Sequence, residues 1–249
     1  MDLFALPPLA AILDAVYAAM MWLTGLLQPL AGDASAAAAV VLVTLLVRTA
    51  LIPVGISQAR AEQTRARLAP RLREIQKRFK NDRERQQREM MKLYADENTS
   101  PFAGCLPVLA QAPVVGVIYA LFLHTSIDGH ANALLTEQLA GVPLGTSVFG
   151  TLDSLGPAVW LVFGILIAVV CVVAEITRRA FRPPPAAADA DASPLTSAGA
   201  QRVMGLLQYA TAVVLLFVPL AAALYLTVTV AWTLVQRLIL RRRYPLPRS

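Results

Sequence analysis

Arg48 is the residue of this 249-residue chain whose type and setting most clearly imply chemistry. It is the single charge in the run Ala36 to Val54, which is otherwise apolar apart from Thr44 and Thr49. An arginine at the centre of a membrane helix costs about 2.5–3.5 kcal/mol on insertion scales, and such charges generally face a bundle interior or a water-filled cavity. Its chemistry there is electrostatic, because a fixed cation in low dielectric attracts acidic groups more strongly than it does in water. Thr44, four residues earlier, falls on the same helical face and adds a second polar group. Gln111, Gln208, Thr211, Thr227 and Thr229 supply further polar groups in other apolar stretches, although hydrogen bonding between helices also explains each of them. The competing role for Arg48 is to snorkel and pair with a carboxylate such as Glu175, but that acid already has Arg178 and Arg179 beside it. Cys105 and Cys171 both lie in apolar segments, so they form neither a paired extracellular framework nor a metal-ligand cluster.

The elements that must position Arg48 are membrane spans. The chain is 57% hydrophobic and 15% charged, against about 45–50% and about 25% in an ordinary soluble domain. It lacks the polar surface to coat a globule in water. A transmembrane barrel would show alternating segments of about ten residues, and these do not appear. The expected fold is therefore all-α: a polytopic membrane protein. Four stretches are apolar enough to span: Ala36 to Val54, Gly104 to Leu123, Gly156 to Ala174, and Val203 to Gln236. The last has no charge over 34 positions and would reach about 51 Å as one helix. Pro219 near its middle divides it into two short spans joined by a tight turn.

Lys and Arg accumulate in cytoplasmic loops and so orient the spans. Of the 22 basic residues, twelve lie between Arg60 and Lys92, four are Arg178, Arg179, Arg182 and Arg202, and five are Arg237, Arg241, Arg242, Arg243 and Arg248. Arg48 is the remaining one. The segments before Ala36 and between Thr125 and Pro157 have none, and carry Asp2, Asp14, Asp33, Asp128, Glu137 and Asp153 instead. These segments are assigned outside. Residues 1–35 are then an extracellular or interfacial helix, favoured over a sixth span because Asp14 interrupts the run and Pro7, Pro8 and Pro29 flank it. A signal peptide would need a basic start. The expected order continues with a first span at 36–57, a cytoplasmic helical hairpin at 58–103 and a second span at 104–125. An extracellular loop follows at 126–156, then a third span at 157–177 and a cytoplasmic loop at 178–202. Spans at 203–218 and 220–238 lead to a basic cytoplasmic tail at 239–249. The amino terminus is outside and the carboxyl terminus in the cytoplasm, in the cell membrane.

The hairpin reading rests on Leu68, Leu72, Ile75 and Phe79 at helical spacing, a turn at Asn81-Asp82, and a second stretch with Met90, Met91, Leu93 and Tyr94. Its many charges read first as a solvated face. The flexible methionines also suit contact with lipid or a client helix. Residues 183–200, PPPAAADADASPLTSAGA, read as a flexible joining loop. The tail RRRYPLPRS reads as a topology signal and a contact for anionic lipid, with ribosomal RNA as an alternative.

Three stretches resemble one known family. NTSPFAGCLPVLAQAPVVGVIYALF, preceded by the basic segment ending KLYADEN, is similar to the signature of the YidC/Oxa/Alb membrane protein insertases. LVRTALIPV resembles that family's first core span with its groove arginine, and LFVPLAAALYLTVTVAWTLVQRLIL resembles the closing span. The resemblance covers roughly residues 35 to 245, and the lack of a large extracellular domain makes the chain similar to the short Gram-positive-type forms. It implies five helices around a hydrophilic groove that is open to the cytoplasm and to lipid. Arg48, Thr44, Gln111 and Gln208 are its expected groove residues. Nascent membrane proteins are the implied clients, the hairpin their receiver, and the ribosome, the Sec translocon and the lipid bilayer further partners. DNA is not among them. Where the family commonly has PAGLALYW this chain has PLAAALYL, so Leu226 replaces an aromatic and an expected Gly is Ala.

A hydrated groove shortens the apolar path for a client's polar flank, and Arg48 would draw in acidic residues of a short tail. No bond is made or broken, so no catalytic residue, cofactor or metal is expected. Two other readings fit the same residues: a small transporter or channel component whose Arg48 binds an anionic substrate, and an assembly scaffold for membrane complexes. Transporters often show internal repeats, and none is seen here.

Overall fold

Proline and glycine punctuate the helices. The computed structural model describes residues 7–97, 99, 116–127, 130–150, 156–181, 206 and 209–245. Gln111, Gln208, Cys105, the loop 183–200 and most of the signature stretch lie outside the described residues. Helix α1 (Pro7–Ala31) opens on prolines, whose missing N–H costs nothing in a first turn. It stops at Gly32, which takes the left-handed φ of +54° that a side chain would resist. A short 3-10 turn, Gly32–Ala34, leads into α2 (Ser35–Ala50). Helix α3 (Ile52–Arg78) begins after Leu51 with Pro53 in its first turn, so that proline supplies no N–H to the helical ladder. Asp82 then caps α4 (Arg83–Asp96), its carboxylate accepting from the Arg85 amide at 2.9 Å.

The described helical residues 116–123 form α5. Two antiparallel pairs follow, β1 (Ser126–Ile127) with β2 (His130–Ala131) and β3 (Gln138–Leu139) with β4 (Val142–Pro143). Ala140 at φ +51° and Gly141 at φ +79° make the turn between the last two, the double positive φ that matches strand twist in a two-residue hairpin. Helix α6 (Pro157–Ala180), the short α7 (Ala210–Val214) and α8 (Leu220–Arg243) complete the described elements. Buried Pro219 stands between α7 and α8.

The chain falls into two units: Met1–Val47 with Gly116–Leu234, and Arg48–Val115 with Val235–Ser249. In the first, α6 turns Val162, Phe163, Leu166, Val170 and Ala174 inward. Helix α2 contributes Ala36, Ala37, Ala39, Val40 and Thr44, and α8 contributes Leu220 through Tyr225. The small residues in both rows let backbones approach closely, as helices in lipid require. The opposite face of α6 is apolar too, with Trp160, Leu161, Ile165, Val169, Val172 and Ile176 all exposed. Helix α1 is built alike, with Leu13, Met20 and Thr24 buried on one face and Trp22, Leu26 and Leu30 exposed. Helices apolar all round belong in hydrocarbon, and a soluble protein rarely exposes patches of this extent. Three stretches, Ala10–Ala50, Pro157–Ala180 and Leu220–Arg243, are long and apolar enough to cross a membrane. The molecule is an all-α polytopic membrane protein.

The loop 126–150 is a small core of its own, with Ile127, Leu134, Val142, Leu144 and Val148 buried. Asn132 organises it. Its amide donates to the Leu121 carbonyl at 2.5 Å and the His124 carbonyl at 3.0 Å, satisfying the end of α5, while its oxygen accepts from the Leu134 amide at 3.2 Å. The same loop caps α8, because Leu220 N donates to Thr146 O at 2.8 Å and Ala221 N to Leu144 O at 3.0 Å. A helix start has four amides without intrahelical partners, and two are satisfied this way.

In the second unit α3 and α4 form a helical hairpin. Leu68 is buried, and Leu72, Ile75 and Phe79 continue its least exposed face at the spacing expected of one helical stripe. Arg67 and Arg71 both reach Glu97, at 2.6 and 3.1 Å.

Candidate functional site

Thr44 and Arg48 occupy successive turns of α2. Thr44 is 1% exposed, and its hydroxyl donates to the Val40 carbonyl at 2.6 Å. That bond lets a polar side chain sit in an apolar interior without an orphaned donor. Arg48 is half-buried in the last turn of the helix, where a cation meets the negative end of the helix dipole. The helix ends two residues later, ahead of Pro53. The cation therefore sits close to the break between α2 and α3.

The other polar positions divide. Thr227 is buried and donates to Ala223 O at 2.8 Å, repeating the arrangement of Thr44. Thr211 is half-buried in α7. The Thr229 hydroxyl is shut off from solvent with no hydrogen-bond partner among the described residues, as is that of Thr24. Gln111 and Gln208 lie outside the described residues, and of the expected groove residues the structure describes Thr44 and Arg48, both on α2.

Glu175 lies near the end of α6 in a cluster of its own. Arg178 binds it through two parallel bonds of 2.8 and 2.7 Å, Arg179 Nε donates at 2.5 Å, and Tyr209 Oη donates at 2.6 Å. The two arginines are visible from sequence spacing alone. Tyr209 is not, because 34 residues separate it from Glu175 and no periodicity links them. Nor does any pattern announce Asn132 as the organiser of the loop, although an Asn preceding a 3-10 turn (Ala133–Leu135) is the local signal that fits it.

Comparison with known proteins decides the family. The family model described as 60Kd inner membrane protein matches residues 26–247. The chain belongs to the YidC/Oxa/Alb family. Among its relatives, a membrane protein insertase YidC of Clostridium perfringens (strain 13 / Type A) is 44% identical over 81 residues, 32% of this chain and 34% of that protein. The protein of the same name from Streptomyces avermitilis is 36% identical over 111 residues, 45% of this chain and 26% of the relative. That of Clostridium tetani is 39% identical over 102 residues, 41% and 46% of the two chains. Each match spans less than half of the relative's own length. In this YidC/Oxa/Alb chain, LVRTALIPV is the junction of α2 and α3. The departure PLAAALYL forms the capped start of α8, where Ala221, Ala222 and Ala223 are all buried. Ala221, where the family pattern has Gly, is 0% exposed and donates its amide to the loop. The methyl group is accommodated inside the core.

Proposed function

We propose that this protein is a membrane protein insertase of the cell membrane, which receives apolar segments of nascent membrane proteins and passes them into lipid. The observation that carries the reading is one guanidinium on the last turn of an apolar helix, in a chain whose residues 26–247 match the insertase family. Five spans surround a hydrophilic groove to which Arg48, Thr44, Gln111 and Gln208 contribute. The amino terminus is outside, and the hairpin and basic tail are in the cytoplasm. The ribosome and the Sec translocon are the partners that deliver clients.

The physical task is to move a client's polar flank through hydrocarbon about 30 Å thick. Water drawn part-way into the bilayer shortens that path. Arg48 then offers an acidic client tail a counter-charge in low dielectric, where the attraction exceeds its value in water. Thr44, with its proton engaged by Val40, supports the helix beneath the cation. The step is partition and not bond-making, so the reading assigns no catalytic group.

The test is insertion of paired clients differing only in the charge of the translocated tail. Arg48→Ala lowers insertion of the acidic-tailed client about tenfold, equivalent to about 1.4 kcal/mol, and leaves the neutral client within about twofold. Equal loss for both removes the electrostatic role. Cysteines placed singly at 44 and 48 give a second test. A membrane-impermeant thiol reagent on the cytoplasmic side reacts at 48 faster than at buried 44, and complete protection of 48 overturns the hydrated groove. Solute uptake by reconstituted vesicles would instead identify a transporter.

A further inference from the structure

The base of α3 and the last turns of α8 meet at one glycine. A Cβ placed on Gly55 would lie 1.8 Å from Gln236 Nε2 and 2.8 Å from its Cδ, so a side chain fits at this position only if Gln236 moves. Further contacts join the two segments. Arg237 faces Glu62 at 3.8 Å. Arg60 donates to Tyr244 Oη at 3.4 Å, with its guanidinium carbon 5.6 Å from the centre of the tyrosine ring. Gln63 Nε2 donates to the Pro245 carbonyl at 3.0 Å. Arg60–Tyr244 and Gln63–Pro245 gather at the far end of the segment, while Glu62 pairs with Arg237 beside the glycine contact.

We propose that the carboxyl-terminal segment is a clasp that sets the position of the hairpin base against the last turns of α8. Gly55 against Gln236 is its pivot, and Arg60–Tyr244 with Gln63–Pro245 is its catch. The two parts differ in strength. The pivot is the approach of the Gln236 side-chain amide to the Gly55 backbone, which a side chain at position 55 would have to displace. The catch consists of solvent-exposed polar contacts, which are individually weak and screened by salt. The Arg60 guanidinium also holds the Tyr244 phenol below the usual tyrosine range, as expected of a cation donating to its oxygen. A clasp of this kind holds the hairpin base at rest and lets it turn about the pivot once the catch opens.

The experiment is pulsed electron–electron resonance on the full-length protein in lipid nanodiscs, with Cys105 and Cys171 replaced by Ala. Spin labels go at the exposed positions Gln87 on α4 and Leu238 on α8. The unmodified clasp gives one narrow distance distribution. Gly55→Ala, whose methyl displaces the Gln236 amide, shifts it measurably, Gln236→Ala alone leaves it in place, and the double variant returns it to the original distance. That rescue is specific to the pivot, since a general loss of structure would worsen with the second change. Tyr244→Ala and Gln63→Ala, both at exposed contacts that folding does not depend on, broaden the distribution about an unchanged mean. Tyr244→Phe, which keeps the ring over Arg60, broadens it less. A Gly55→Ala distribution identical to the original, or one not rescued by Gln236→Ala, overturns the pivot. Unchanged widths in both catch variants overturn the catch. None of these readouts depends on insertion activity, so the clasp can fail while the insertase reading stands.

Discussion

The two units are made of opposite materials. The first is held by buried alanines and branched side chains, by threonines bonded to their own helices, and by backbone bonds such as Ala221 N to Leu144 O. The second is held by long charged and amide side chains at its surface, with Leu68 its one fully buried apolar side chain among the described residues. Solvent explains the contrast. Hydrocarbon offers backbone and hydroxyl groups nothing to bond with, and the first unit bonds hydroxyls such as those of Thr44 and Thr227 to its own backbone, the hydroxyls of Thr24 and Thr229 excepted. Water bonds freely, so the second unit can leave its charges loosely paired and keep them exchangeable. The consequence is a rigid part and an adjustable part within one chain.

Removing mass from the first unit is the most damaging test of that contrast. Phe163, 1% exposed on α6, is expected to cost about 3–5 kcal/mol when cut to Ala, through lost packing and the cavity left behind. Thermal unfolding in detergent reads this as a large fall in midpoint. A loss below about 1 kcal/mol would mean that lipid or detergent fills the space and that the first unit is not closely packed. Asn132→Ala follows. It leaves two carbonyls and an amide in a buried loop without their partner, at about 1–3 kcal/mol for each group that stays unsatisfied. Hydrogen exchange should quicken in 126–150 and at the start of α8, which the loop caps, before it changes in α6. Uniform quickening would show that Asn132 supports the whole unit and not the loop.

How far the sequence reveals these parts depends on the range of the interaction. The all-α membrane class follows from composition and apolar runs, which are local and additive. The turn at Asn81-Asp82 and the cap of α4 follow from the chemistry of a single residue, Asp82. Pro53 marks the interruption after Ala50 with equal clarity, although reading 36–57 as one apolar stretch passes over it. Arg48 stands out in the sequence because a charge in an apolar run is costly. Contacts such as Gly55 with Gln236, Tyr209 with Glu175 and Asn132 with Leu121 were not legible. Each depends on which helices become neighbours, and a lone chain carries no periodic trace of that. The alanine row 221–223 falls between the two: small side chains permit close approach, but nothing in the sequence says that Leu144 and Thr146 supply the carbonyls.

Glu175 tests the border between the two kinds of construction, because a charged cluster here sits within the first unit. Glu175→Gln keeps the shape and one acceptor oxygen but removes the charge that Arg178 and Arg179 share. Glu175 is only partly exposed, and the expected loss of stability is small, as for other ion pairs open to solvent. Tyr209 keeps an acceptor. Exchange in α7 should therefore rise modestly in Glu175→Gln and more in Glu175→Ala, and equal rises would assign the effect to charge alone.

The smallest effect is expected in the second unit and is the most informative about its adjustability. Arg71 is exposed and shares Glu97 with Arg67, so when Arg71 is replaced by Ala the second arginine keeps the contact. The expected loss is within about 0.5 kcal/mol. Salt should act more strongly than the substitution, since at about 1 M the Debye length is about 3 Å and all the exposed pairs weaken together. Exchange in α3 and α4 should then rise while exchange in α6 stays unchanged. Hairpin exchange indifferent to salt would mean that Leu68 and its apolar stripe hold the hairpin, and that its charges are there for partners and not for the fold.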